Sequence, residues 1–210
     1  MLYLVPDPIS AQAIESMNAN AESLEHCYVD GLHRREIYGR MVDAILARVR
    51  AGRRVCAAFY GHPGVFVLPS HEAIAQARDE GFEARMLPGI SAEDCLFADL
   101  GVDPARAGCQ SYEATRFLEQ RPAVEPTAAL VLWQIGVVGS AAHSEEAHAP
   151  KLSALVDRLR EIYPDEHEVV VYEASHYAGV APLIRCVPLA LLAEAVTPAS
   201  TLYVPPLPSP

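Results

Sequence analysis

Basic charge is what this sequence lacks most. Only 16 of 210 residues are Lys or Arg against 27 Asp or Glu, a formal net charge of −11. A nucleic acid needs a cationic face to displace its counterions, so DNA and RNA are not expected partners. An anionic membrane surface needs a polybasic patch, and that is missing too. No apolar run approaches the roughly 20 residues of a membrane span, and no basic segment followed by an apolar core marks a secretory signal. CxxC pairs are absent. The five cysteines, Cys27, Cys56, Cys95, Cys109 and Cys186, are odd in number and widely spaced. That argues against a disulfide framework or a structural zinc site and fits a reducing cytoplasm. No HExxH, GxSxG, GxGxxG or phosphate-loop pattern occurs, and His143, Glu145, Glu146 and His148 lack metal-ligand spacing and read as a solvated loop. No metal is expected.

What the sequence does have is an ordinary globular composition, 51% apolar and 20% charged. Its length can bury a core in one large or two small domains. Apolar runs alternate with amphipathic stretches, the pattern of an α/β fold with parallel strands. Strands are predicted over 2–5, 55–60, 83–87, 109–113, 130–133, 169–172, 183–187 and 201–204. Helices are predicted over 8–17, 34–51, 70–80, 92–100, 115–119 and 152–163. Ile37, Met41, Ile45 and Val49 form the apolar stripe of the second helix. Pro8 suits a first helical turn, and Gly52 and Gly81 suit helix ends. The pattern loses regularity near residues 108–113, where a domain boundary is expected, dividing the chain into 1–110 and 111–210. The proline-rich end, residues 205–210, suits neither helix nor central strand.

Three places can carry chemistry. Tyr60–Gly61–His62–Pro63–Gly64–Val65 follows a strand and precedes a helix, the position at which open α/β sheets bind ligands. Its glycines let a ligand approach the backbone, and they equally fit a tight turn with no ligand. A second such loop, Leu87–Pro88–Gly89–Ile90–Ser91–Ala92, leads into a helix. Ser91 and Asp94 are accounted for as a helix cap and first-turn acid. Two carboxyl-end loops side by side would form one crevice. Third, Arg34 and Tyr38 share a helix face, with Tyr28 just before. Arg34 and Arg35 stand at the positive end of that helix, an electrostatic misfit that marks some sites. Solvated arginines paired with Glu36 or Asp30 explain the same pattern. Gln134, a polar residue at another strand end, is either a ligand hydrogen-bonder or a loop start.

The long block YGHPGVFVLPSHEAIAQARDEGFEARMLPGISAEDCLFADLGVDP, from Tyr60 to Pro104, resembles the signature region of the tetrapyrrole-methylase superfamily, the class III S-adenosylmethionine methyltransferases. Within it, YGHPG and SAED are most similar to the borosin peptide-backbone α-N-methyltransferases. So are GCQSYEATRFL from Gly108, LWQIGVVG from Leu132 and STLYVPP from Ser200. The resemblance spans essentially the whole chain. It implies two α/β domains with S-adenosylmethionine in a cleft between them. It assigns cofactor contacts to Tyr60, His62, Val65, Ala92, Gln134, Ala174, Ser200 and Thr201, and a catalytic cluster to Tyr28, Arg34 and Tyr38. One further tyrosine of that cluster is replaced by Glu25.

The family also begins with an additional strand, a GxG loop and a helix that do not precede Met1 here. Their loss is expected to expose sheet edge and apolar surface. The fungal members carry their substrate peptide as a C-terminal extension, which is not seen after Pro210. The expected activity is therefore backbone N-methylation of a separate ribosomal precursor peptide, by a cytoplasmic homodimer as in the split bacterial type. The alternatives are a class III methyltransferase of a small molecule or tetrapyrrole, and a non-catalytic member that binds S-adenosylmethionine or a peptide.

Overall fold

A three-residue apolar strand, β1 (Leu2–Leu4), opens the chain. Asp7 then caps α1 (Pro8–Met17) by accepting a hydrogen bond from the Ser10 N–H at 2.8 Å, with Pro8 in the first turn as expected. The structure, a computed structural model, describes residues 1–140, 149–177 and 179–208. The His143–His148 stretch therefore lies outside the described residues. The chain continues through β2 (Glu22–Ser23), α2 (Arg34–Arg50), β3 (Ala57–Phe59), α3 (Leu68–Asp79) and α4 (Ala92–Leu100). After these come β4 (Cys109–Glu113), α5 (Ala114–Gln120), β5 (Ala129–Trp133), α6 (Leu152–Arg160), β6 (Glu168–Glu173), β7 (Leu183–Pro188), α7 (Leu192–Ala195) and β8 (Thr201–Val204). No described helix is long and apolar enough to cross a membrane.

The chain divides into two compact units, one carried by Met1–Ala92 and the other by Glu93–Ser140 together with the described residues from Ala149 onward. The division expected after residue 110 therefore moves forward to α4. The reason is packing: Leu96, with Cys95, Phe97 and Leu100 of α4, joins Ala129, Val131, Trp133, Val170, Tyr172 and Tyr203 of the second unit's sheet. Tyr172 also donates a hydrogen bond to Asp99 Oδ2 at 2.7 Å.

In the first unit the described strands run in the order β2–β1–β3, all parallel, with Leu2 opposite Ala57 and Leu4 opposite Phe59. The apolar stripe of α2 is buried at Ile37, Met41, Val42, Ile45 and Leu46, packed with Leu2, Leu4, Ala73 and Ala77. Residues 83–87 depart from expectation and form no strand. Phe82, Ala84 and Met86 are half-buried while Glu83, Arg85 and Leu87 are exposed, so the two-residue alternation is present. The ladder is not, because β3 pairs with β1 on one side and with no described strand on the other. A strand draws its hydrogen bonds from neighbours. The segment is tied instead to α3, through Phe82 N–H to Ala77 O at 2.9 Å and Arg78 Nε to Ala84 O at 2.9 Å.

The second unit holds a five-stranded sheet in the order β4–β5–β8–β6–β7. The parallel pairing expected of an α/β pattern holds for only part of this sheet. Only β4 and β5 are parallel, while β8 runs antiparallel to β5 and β6, and β7 antiparallel to β6. β6 and β7 are joined with no helix between them, and a parallel pair needs a long crossover. On one face of the sheet Leu130, Leu132, Val169, Val171, Leu202 and Val204 pack on Phe117, Leu155, Leu159 and Leu192. Leu202 is fully buried in the central strand, whereas Ile184 of the edge strand is 44% exposed. Leu202→Ala is expected to cost about 2–5 kcal/mol of unfolding free energy by urea denaturation, and Ile184→Ala less than about 0.5 kcal/mol.

Candidate active site

In the first unit the candidate residues gather at the carboxyl ends of the parallel strands. Tyr60 follows β3 directly, its N–H donating to Leu4 O at 3.0 Å. Gly61 then takes a left-handed φ of 70°. Two histidines hold the loop that follows. His62 Nδ1 accepts from Gly64 N–H, and His71 Nε2 donates to Gly64 O, both at 2.9 Å. An N–H only donates and a carbonyl only accepts, so His62 Nδ1 is unprotonated and His71 carries its proton on Nε2. Ser70 Oγ bonds the Pro63 and Val67 carbonyls and closes the loop onto α3. His62 thus spends Nδ1 on its own loop and leaves Nε2 for a ligand. Val65 is half-buried in the same loop.

The second loop touches the first backbone to backbone. A Cβ at Gly89 would lie 2.7 Å from the Gly61 carbonyl oxygen, so only glycine permits this approach. The juxtaposition expected from sequence is therefore present within this unit, with bare backbone on both sides. Ser91 is buried at the foot of α4 and Ala92 is exposed. A separate polar cavity of about 620 Å³, lined by Leu2, Glu22, Arg48, Arg53 and Arg54, lies at the amino end of β1. Parallel α/β sheets hold ligands at the opposite end.

Tyr28 ends a short 3-10 turn, Glu25–Cys27, with its N–H bonded to Glu25 O at 2.9 Å. Arg34 is the first residue of α2 and is half-buried, and Tyr38 lies one turn on. The N-cap is His33, whose Nδ1 accepts from Arg35 N–H at 3.1 Å. Glu36, one of the partners weighed for the first-turn arginines, pairs with Arg40 at 3.2 Å. The Tyr28 phenol is pushed up to about 12, first by burial and then by the neighbouring phenols of Tyr38 and Tyr60, while the Arg34 cation pulls it down. Tyr60 is 55% exposed, yet desolvation where its phenol sits, and then Tyr38, raise that phenol against the pull of Arg34. Arg34 acts in the direction expected of it, but burial outweighs it, and Tyr28 is a neutral phenol at pH 7. Tyr60, expected only as a cofactor contact, belongs electrostatically to this cluster. Glu25, at the position of the family's further tyrosine, is exposed.

In the second unit another set converges at one end of the sheet. Leu132 lies opposite Leu202 and Tyr172 opposite Thr201, so the carboxyl ends of β5 and β6 both meet the amino end of β8. Gln134 therefore lies at the same end as Ala174, Ser200 and Thr201. Gln134 adopts a left-handed conformation, φ 60° and ψ 35°, rare for a residue with a side chain. Ser200 and Thr201 are buried. Sequence reasoning missed Glu173, whose Oε1 accepts from Ser200 Oγ at 2.9 Å and from Thr197 Oγ1. Its signal was an acidic residue closing the apolar run Val169–Tyr172. His71 was also missed, being an unremarkable position in a helical pattern.

Comparison with known proteins places this geometry. Residues 2–179 match the family described as Tetrapyrrole (Corrin/Porphyrin) Methylases. The chain belongs to the tetrapyrrole methylase family. Among relatives of this chain, the methyltransferase/gymnopeptides precursor of Gymnopus fusipes is 42% identical over 98% of the chain and 50% of its own length. The methyltransferase/omphalotin A precursor of Omphalotus olearius is 43% identical over 98% of the chain and 51% of its own length. The type I borosin precursor of Serendipita vermifera subsp. bescii is 42% identical, covering 97% and 51%. The chain spans about half the length of the relatives it matches. Uroporphyrin-III C-methyltransferase of Thermus thermophilus shares the fold, with a TM-score of 0.61 at 19% identity over 98% of this chain and 78% of that one. The same enzyme complexed with S-adenosyl homocysteine gives 0.60 at 17%, covering 98% and 84%.

A tyrosine difference titration at 295 nm, wild type minus Tyr28→Phe, is expected to show a component near pH 12 rather than the usual 10. Arg34→Ala, which removes the lowering charge, is expected to move that component higher.

Proposed function

We propose that this chain is an S-adenosylmethionine-dependent methyltransferase that α-N-methylates backbone amides of a ribosomal precursor peptide, working as a cytoplasmic homodimer. The observation that carries the reading is 42% identity over 98% of the chain to a methyltransferase/gymnopeptides precursor, joined to a single cluster of Tyr28, Arg34, Tyr38 and Tyr60. All five cysteines are free, in keeping with a reducing compartment.

The residues suit S-adenosylmethionine. Gly61 and Gly89 approach closely with no side chain between them, and His62 Nδ1 is bonded within its own loop, which leaves Nε2 for a ligand. Tyr60, His62, Val65 and Ala92 in the first unit, and Gln134, Ala174, Ser200 and Thr201 in the second, are the groups assigned to hold it. When bound, it supplies an electrophilic methyl group on a sulfonium centre. The rest of the work falls to the protein. An amide nitrogen is a poor nucleophile while it keeps its proton. The phenolate of Tyr28 or Tyr38, formed once the phenol has given its own proton to solvent, accepts the amide proton and returns to the neutral phenol, and Arg34 holds the negative charge that develops on the amide oxygen. A buried phenol near 12 is a stronger base, once ionised, than an ordinary tyrosine. Arg34 lowers the cost of that ionised form without outweighing burial. Methyl transfer is otherwise a matter of alignment, in which the peptide nitrogen must be held in line.

Arg34→Ala is expected to abolish methyl addition to a separately supplied precursor peptide, measured by mass spectrometry, while S-adenosylmethionine still binds by titration calorimetry. Full activity in that variant overturns the catalytic assignment. Methylation of a tetrapyrrole but not of peptides overturns the substrate.

A further inference from the structure

We propose that Glu173 is a positioning residue, clamping the 197–200 loop and thereby fixing the end of the second unit assigned to S-adenosylmethionine. This rests on the reading above. Glu173 closes β6 and is followed by Ala174. Its Oε1 accepts hydrogen bonds from two hydroxyls of one loop, Ser200 Oγ at 2.9 Å and Thr197 Oγ1. Ser200 Oγ accepts in turn from Thr197 N–H at 2.8 Å, and Ser200 N–H donates to Thr197 O at 3.1 Å. Ser200 is fully buried. A carboxylate is an acceptor only, so both hydroxyls must point their protons at Glu173. The orientation of the loop is thereby set by one side chain.

The loop has a second fixed neighbour. Gly136 lies so close that a Cβ there would overlap the Thr197 carbonyl. Gly136 stands two residues after Gln134, whose own backbone is left-handed. Glu173, Thr197, Ser200, Gly136 and Gln134 thus form one rigid train, and Thr201 follows it into β8. Three of the four cofactor positions assigned to this unit, Gln134, Ser200 and Thr201, belong to or abut the train, and the fourth, Ala174, is the clamp's own neighbour. Without the carboxylate, Ser200 Oγ keeps as a donor only the longer contact to Thr197 Oγ1 at 3.3 Å, within the loop itself, and nothing ties the loop to β6 at this point. Small displacements of a binding shell are costly because affinity falls with the fraction of molecules in the competent arrangement.

The test compares wild type, Glu173→Gln and Glu173→Ala with Glu168→Gln, a control at the exposed start of the same strand. Two readouts are used: the dissociation constant for S-adenosylmethionine by calorimetry, and hydrogen–deuterium exchange over residues 197–201 of the ligand-free protein. Glu173→Ala is expected to weaken binding about tenfold. Glu173→Gln, which keeps one acceptor oxygen, is expected to weaken it about threefold. Exchange at 197–201 rises in the same order, while β5 and β6 keep their protection, and KM for the peptide is unchanged. Wild-type affinity in Glu173→Ala, or exchange that rises across the whole sheet, overturns the clamp. If Glu173→Ala does not fold, the isosteric Glu173→Gln decides by the same two readouts. A wild-type chain that does not bind S-adenosylmethionine refutes the methyltransferase reading and the clamp with it. Binding by wild type with no change in any Glu173 variant refutes the clamp alone.

Discussion

The insertion of β8 between β5 and β6 is the constraint on which the second unit depends. All four of its residues are buried, and it pairs antiparallel on both sides. Leu202 and Val204 point to the helix-covered face, and Tyr203 points to the face covered by α4, so both apolar clusters close only when this strand is in place. A strand with ladder bonds on both edges and apolar packing on both faces has a single register, because a slip of one residue would exchange the faces. That register carries Ser200 and Thr201 to the ends of β5 and β6, where Gln134, Glu173 and Ala174 stand. The candidate cofactor end of this unit is therefore a by-product of core packing, and residues nearly seventy positions apart are placed by one strand.

The first unit is organised differently. The loop after β3 lies at the carboxyl end of its parallel strands, and glycine decides how closely the 87–91 loop approaches it. Gly61 and Gly89 meet backbone to backbone, while His62, Ser70 and His71 hold the first loop on α3. The loop is thus braced before any ligand arrives, which lowers the ordering cost of binding. The same sheet leaves β3 unpaired on one edge among the described residues. Residues 83–87 keep the alternation of a strand without its ladder, and Tyr60, Phe66, Leu87 and Ile90 are exposed in the neighbouring loops.

Two opposing effects meet in the tyrosine cluster. Arg34 favours the phenolate of Tyr28 and Tyr60, and burial with neighbouring phenols disfavours it by more. The balance keeps Tyr28 neutral in the resting protein. Arg34 at the first turn of α2 is the cation of this cluster, although a positive charge is unfavourable at that end of a helix.

Local pattern was enough to locate most elements from the amino-acid sequence: α1 with Pro8, the stripe of α2, the glycine loop after β3, and the apolar strands β5, β6 and β8. These are set by short-range chemistry, namely the periodicity of apolar residues, the fixed φ of proline and the freedom of glycine. The resemblance carried by the 60–104 block named the family and its candidate residues. Other features depended on which strands lie beside one another. They include the antiparallel half of the second sheet, the failure of 83–87 to pair, and the transfer of α4 to the second unit. Tyr60 joined Arg34, and Glu173 reached Ser200 and Thr197, only through contacts made across the fold. Hydrogen bonds between strands and the balance of burial against charge are properties of neighbours distant in sequence, and only the tertiary structure brings those neighbours together.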